Sequence, residues 1–289
     1  MSHQRFSHKN GYSQNETING ELLKTLIDKT SIKPGDLVYD IGAGRGNITE
    51  ALMAKGSRII SIEKDDYLFQ KLQQRFSNRE AVSLHHADFL NWEFSGHRYK
   101  VFANIPFIRT ADIIKKLLYN DNPPEDCYLI IQKEAALKYA GIPRETLASL
   151  LIKPKFWVDI VYYFSRNDFN PVPAVDIVLI QFEKRKCQLV SEPLYNTYRD
   201  FIVFLREESQ GCIKRALKDL FSYRQIKDIF ALLNIDLQQK PAELNFVQYL
   251  GIFQFLLDEN LMNIGPIQGA ENRLIKKRAH LEKIHRTRT

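Results

Sequence analysis

Apolar residues along the first two thirds of the chain fall into two alternating rhythms. Compact apolar runs, LVYDIG, SRIISIE, AVSLHHADFLN, YKVFAN and CYLIIQ, have the length and bulk of buried strands. Between them, apolar positions recur every three or four residues, as in NITEALMAKG, DYLFQKLQQRFS, TADIIKKLLYN and KEAALKYA, which predicts helices. Upstream, Asn19 is a candidate cap for GELLKTLIDKT, whose Leu22, Leu23, Leu26 and Ile27 share a face before Pro34-Gly35 turns the chain. Thr110 opens the TADIIKKLLYN helix, and WVDIVYYFS and DIVLIQFEK read as two last strands. Strand and helix in turn predict an α/β fold, a mostly parallel sheet with helices on both faces. Beyond Lys184-Arg185-Lys186 only helical periodicity remains: NTYRDFIVFLREE, CIKRALKDLF, YRQIKDIFALLN and FVQYLGIFQFLLDEN. The pattern therefore predicts a sheet domain over 1–185 and a small helical domain over 186–289.

Composition narrows the class. The 289 residues are 44% hydrophobic and 11% aromatic, enough for a substantial core. No apolar run approaches membrane-span length and the N-terminus lacks the apolar core of a signal peptide, so the expectation is a cytoplasmic protein without a membrane. Cys127, Cys187 and Cys212 are scattered and the histidines form no ligand spacing, so neither disulfides nor a metal are expected. The net charge of +7 is concentrated: over 272–289, Arg273, Lys276, Lys277, Arg278, Lys283, Arg286 and Arg288 face only Glu282, a local +6. A basic tail of this kind suits a polyanion such as nucleic acid.

The chemistry begins at Asp40-Ile41-Gly42-Ala43-Gly44-Arg45-Gly46, a glycine turn between a strand and a helix. Such a turn brings backbone close to a ligand, although the spacing is GxGxG rather than GxGxxG. Glu63 ends the next strand 21 residues after Gly42, where it can accept from ribose hydroxyls; Asp88 ends the third, in reach of an adenine amino group. With no GxxxxGK[ST] phosphate cradle, this outlines a nucleoside cofactor without a phosphate chain, S-adenosyl-L-methionine.

The order DxGxGxG, Glu63, Asp88 and then Asn104-Ile105-Pro106-Phe107 resembles the Rossmann-like adenine-N6 methyltransferases of ribosomal RNA. The resemblance runs from Tyr12 to about Val178 and more weakly through the helices. YSQNE is similar to the family's SQNF motif, which implies that Gln14 and Asn15 line the methionine end of the cofactor; Glu16 stands where the family has Phe. IQKEAALKY and FNPVPAV resemble segments shared by the Erm methyltransferases of 23S rRNA and the KsgA dimethylases of the small subunit. NIPF, KFWVDIVYYFSRNDF and LNFVQYLGIF look more like Erm.

The resemblance implies mono- or dimethylation of one 23S adenine at the peptidyl-transferase centre, which blocks macrolides, lincosamides and streptogramin B. The partner would be 23S rRNA before full ribosome assembly, met by a monomer with no obligate protein partner. The Asn104 oxygen and the Ile105 carbonyl would accept the two hydrogens of the adenine amine, localising its lone pair. Pro106 would fix that carbonyl, and Phe107 and Phe169 would stack on the two faces of the flipped base. Lys214, Arg215 and Lys218 share a helix face and, with Arg273, Lys276, Lys277 and Arg278, are candidate phosphate contacts. Three alternatives carry other implications: a KsgA-type enzyme, a non-catalytic RNA-binding or transcription-factor relative, and a DNA adenine methyltransferase. The last usually has a second proline where Ile105 stands.

Overall fold

A computed structural model of the chain describes residues 16–17, 20–208, 211–236, 238–260 and 264–286. Gln14, Asn15 and the Asn19 cap lie outside the described residues. Two compact units form: one runs to Ala136 and resumes over Trp157–Lys184, and the other takes Leu137–Phe156 and the chain from Arg185 onward.

The sheet unit contains β1 (Glu16–Thr17), α1 (Gly20–Asp28), β2 (Leu37–Ile41), α2 (Asn47–Ala54), β3 (Arg58–Glu63), α3 (Asp66–Phe76) and β4 (Val82–His86). It continues through β5 (Lys100–Asn104), α4 (Thr110–Leu118), β6 (Asp126–Gln132) and the start of α5 (Lys133–Ala140). After α6 (Leu147–Ile152), which belongs to the other unit, come β7 (Phe156–Tyr163), β8 (Phe169–Asn170) and β9 (Ile177–Lys184). Seven strands form one sheet in the order β4-β3-β2-β5-β6-β9-β7; β2 to β6 run parallel and β9 is antiparallel to β6. In β2 and β5, neighbours that point to opposite faces, Val38 with Tyr39 and Val101 with Phe102, are all fully buried. Both faces of the central strands are therefore covered, which is why these segments read as continuous apolar runs. Edge strand β7, after the buried Phe156, alternates exposed and half-buried instead.

The helices start where local chemistry allows. The Asp65 side chain accepts from Leu68 N at 2.9 Å to begin α3. Gly46 caps α2 at φ 85°, and a Cβ there would sit 2.4 Å from the Phe76 ring, so this third glycine is required by packing of α2 against α3 as well as by the turn. Thr110 is the first residue of α4, with Arg109 rather than Thr110 at the cap position.

The helical unit holds α7 (Glu192–Val203), which runs into a π-helical turn at Phe204–Glu208, then α8 (Ile213–Leu217), α9 (Tyr223–Leu233), α10 (Phe246–Asn260) and α11 (Ala270–Arg286). Tyr249, Ile252, Phe253 and Leu256 form a buried stripe on α10 that packs with Tyr198 and Phe201 of α7. A Ser222/Gln225 capping box opens α9 and Asn234, at φ 49°, closes it. The sequence pattern assigns 137–156 to the sheet domain; the structure groups it with the helices. The reason is visible in α6, where the Leu150 carbonyl accepts from the Tyr198 hydroxyl at 2.9 Å and the Leu151 carbonyl accepts from Tyr195. The segment read as a basic tail is helical as far as Arg286.

Candidate active site

The chain leaves β2 toward β3 and β4 on one side, and β5 and β6 continue on the other. The switch point of the sheet thus lies between β2 and β5, at their carboxyl ends. There the glycine turn follows Ile41, with Gly42, Gly44 and Gly46 all at positive φ, and Asn104 ends the neighbouring strand. Glu63 ends β3, on the other side of β2, and Gly42 N donates to the Ile62 carbonyl at 2.8 Å, locking the turn against it.

Three carboxylates occupy this edge in different states. Asp40 is fully buried; its Oδ2 accepts from Thr49 Oγ1 at 2.6 Å, Thr49 also meets Ser61 Oγ at 2.8 Å, and its Oδ1 has no partner. Burial, helped by the nearby charge of Glu63, pushes the Asp40 carboxyl up to about 7. Glu63 is buried and well supplied: Oε2 accepts from Gly44 N at 2.9 Å, and Oε1 accepts from Lys64 N and Asp65 N, both at 2.8 Å. Three of its roughly four acceptor positions are filled, so in this conformation it has room for one further donor, not for both ribose hydroxyls. Asp88 lies beyond the end of β4, which stops at His86. It caps the 3₁₀ turn Phe89–Asn91, accepting from Leu90 N at 2.9 Å, and pairs with Lys64 Nζ at 2.8 Å. The Lys64 ammonium holds its carboxyl below the usual range.

This donor set suits a cationic nucleoside better than a phosphate ester. The negative charge of Glu63 and Asp40 opposes a phosphate chain, and Asp40, sealed from solvent with one oxygen unpartnered, is a position at which nearby positive charge would be favoured. Among the described residues no cluster of metal-ligating side chains occurs.

Past the switch point, Asn104 is half-buried, Ile105 is buried, and Pro106 and Phe107 are half-buried. Pro106 sits at φ −59° and its carbonyl accepts from Arg109 N at 3.0 Å, which closes the 3₁₀ turn Phe107–Arg109 directly onto α4. Phe107 leans on the apolar cluster containing Phe102 and Phe169. Phe169 is a correction: its ring is fully buried, edge-on to Phe164 at 5.1 Å, and offers no face to a base. It anchors the FNPVP loop, while its backbone pairs with β1, Thr17 opposite Phe169 and Glu16 opposite Asn170. Thr49 and Ser61 are the residues that sequence reasoning missed; an i+9 hydroxyl from a helix and one from the next strand carry no motif.

In the helical unit, Lys214 is half-buried with its ammonium 5.4 Å from the Tyr223 ring, and Arg215 and Lys218 are exposed around the short α8. Arg273, Lys276, Lys277 and Arg278 are exposed on α11. No helix among the described residues is long and apolar enough to cross a membrane.

Residues 5–258 match the family model described as ribosomal RNA adenine dimethylase. The chain is 27% identical over 249 residues to the ribosomal RNA small subunit methyltransferase A of Mycoplasmopsis pulmonis, covering 85% of this chain and 97% of that protein. It is 28% identical over 246 residues to an rRNA adenine N-6-methyltransferase of Bacteroides fragilis, covering 85% and 92%. Among solved structures, the fold is similar to the 23S rRNA methyltransferase ErmE, with TM-score 0.78 and 22% identity over 84% of this chain and 99% of that one.

Proposed function

The chain belongs to the ribosomal RNA adenine dimethylase family, and on that premise we propose that it methylates N6 of one adenine of 23S rRNA at the peptidyl-transferase centre. The modification would precede full ribosome assembly, take place in the cytoplasm and confer macrolide, lincosamide and streptogramin B resistance. The enzyme is an rRNA adenine-N6 methyltransferase, and its cofactor, S-adenosylmethionine, supplies an electrophilic methyl on a sulfonium. The observation that carries the site reading is the adjacency of the glycine turn and Asn104 at the switch point of the sheet.

In this reading Asp40 and the Gly42–Gly44 backbone cradle the cofactor beside Glu63 and Asp88, with Gln14 and Asn15 at its methionine end. The adenine amine is a poor nucleophile because its lone pair is delocalised into the ring. The Asn104 amide oxygen and the Ile105 carbonyl accept its two hydrogens and draw the nitrogen toward tetrahedral geometry. Pro106, lacking an N–H and fixed in φ, holds that carbonyl, and Phe107 stacks on the base. When bound, the cofactor would supply its sulfonium methyl for in-line displacement by the amine nitrogen, the C–S bond breaking as the C–N bond forms; the loop would contribute positioning, and the proton would pass to water. Lys214, Arg215 and Lys218, with Arg273, Lys276, Lys277 and Arg278, contact phosphates.

The 23S branch is supported by NIPF, KFWVDIVYYFSRNDF and LNFVQYLGIF. A second reading, a small-subunit enzyme, is favoured by the likeness to the Mycoplasmopsis protein. Primer extension on ribosomal RNA from cells expressing the chain separates the two. One stop at a large-subunit adenine is expected; a stop in small-subunit RNA replaces this reading with the second.

A further inference from the structure

We propose that Ile108 is a wedge that enters the base stack of the RNA and fills the gap left when the target adenine is turned out; this rests on the reading of Asn104–Phe107 as the adenine-holding loop. Ile108 is 81% exposed, a larger fraction than any other exposed large apolar side chain among the described residues. Single exposed apolar residues are ordinary on protein surfaces, so exposure alone decides nothing. What decides is where and how this one is held.

Ile108 follows Phe107 on the 3₁₀ turn Phe107–Arg109. Successive side chains on such a turn diverge by roughly 120°, so Phe107 and Ile108 cannot face the same base. One can lie on the extruded adenine while the other meets the stack it left. The turn is also stiff. Arg109 N donates to the Pro106 carbonyl at 3.0 Å, and α4 begins at once with Thr110 buried and Ile113, Ile114, Leu117 and Leu118 packed inside. The neighbouring Arg109 guanidinium lies 3.5 Å from Asp112, one turn along α4. The group thus held out in front of the loop is apolar, short and branched at Cβ, with little χ1 freedom to lose on insertion.

An apolar side chain gains nothing against phosphates, but it gains by leaving water between base planes, where aliphatic wedges offset the cost of unstacking. Such a group acts on extrusion of the base and not on the cofactor. It should therefore matter only when there is a stack to open.

The test compares two RNA hairpins carrying the adenine mapped by primer extension. In one the adenine lies between its natural neighbours; in the other both neighbours are abasic, so no stack must be opened. Single-turnover methyl transfer by Ile108→Ala is expected to fall roughly tenfold on the first and to stay within about twofold on the second. Ile108→Leu should restore most of the loss, and 2-aminopurine at the target position in the natural context should brighten less with Ile108→Ala than with the parent protein. Equal losses on both hairpins, or no loss on either, overturn the wedge. Asn104→Ala serves as the control: its loss of transfer on both hairpins is expected, and full transfer by that variant would show that the adenine-loop reading, not the wedge alone, has failed.

Discussion

Burial leaves the Asp40 carboxyl with one unpartnered oxygen and raises it from 3.8 to about 7. Between those values the folded chain holds a proton that the unfolded chain has lost. The stabilising contribution is thus complete below the unfolded value and is lost as pH rises through the folded one. The cofactor-free protein should unfold at falling temperature as pH is raised from about 4 to about 7, and Asp40→Asn should flatten that slope in a thermal melt. A cationic cofactor reverses the preference, because it favours the carboxylate. Cofactor affinity should rise over the same window with release of a proton, read by calorimetry in buffers of different ionisation enthalpy; proton uptake would show that Asp40 does not face the positive charge. On the proposed role of its amide as an acceptor for the reacting amine, Asn104→Ala should abolish most methyl transfer with cofactor affinity nearly unchanged. Phe107→Ala should weaken RNA capture by about 1–3 kcal/mol in a binding titration. At this scale the positions of Asp40, Glu63 and Asn104 were legible because each lies at the carboxyl end of a strand, Glu63 and Asn104 as its last residue and Asp40 one residue before it. It misplaced Phe169, since an aromatic beside prolines looks the same whether its ring is offered to a ligand or sealed against Phe164.

Among the elements, α2 and α11 show what spacing reveals and what it hides. The turn before α2 was legible as glycine-rich, but the reason for its last glycine is the Phe76 ring of α3, a contact that no local window contains. Gly46→Ala must strain a positive φ and displace that ring, so a loss of roughly 1–3 kcal/mol is expected in urea unfolding. The α11 segment reads as a tail because its charges swamp its few apolar positions. Its start is fixed from α7: Asp200 accepts from Gly269 N at 2.7 Å and Glu271 N at 2.9 Å, and Arg199 pairs with Glu271. Ile267, Ala270 and Leu274 pack on the helical core, after which 275–280 are exposed on every side. A helix so exposed keeps its order through its capped end. Asp200→Ala should cost about 0.5–2 kcal/mol, seen as faster amide exchange across 270–280.

At the scale of the molecule, the switch from mixed to purely helical periodicity located the second unit from 186 onward. The inclusion of 137–156 was illegible because it depends on tyrosine hydroxyls of α7 reaching carbonyls of α6. The same unit carries most of the net charge: of +7 overall, the last 18 residues contribute +6. That asymmetry separates the two ligands by physics. Each phosphate neutralised by a lysine or arginine releases counterion, so RNA affinity falls with salt by about 0.7–0.9 in the logarithmic slope per contact. If the cofactor is held beside the buried Asp40 and Glu63, as proposed, its binding should change little with salt. If Arg273, Lys276, Lys277 and Arg278 each meet a phosphate, deletion of 270–289 should reduce the slope for RNA by roughly 3 while leaving the cofactor isotherm unchanged. Replacing Lys214, Arg215 or Lys218 singly by alanine should remove less than one unit each. A deletion that lowers RNA affinity without altering the slope would mean that α11 acts through packing of the helical unit and not through its charge.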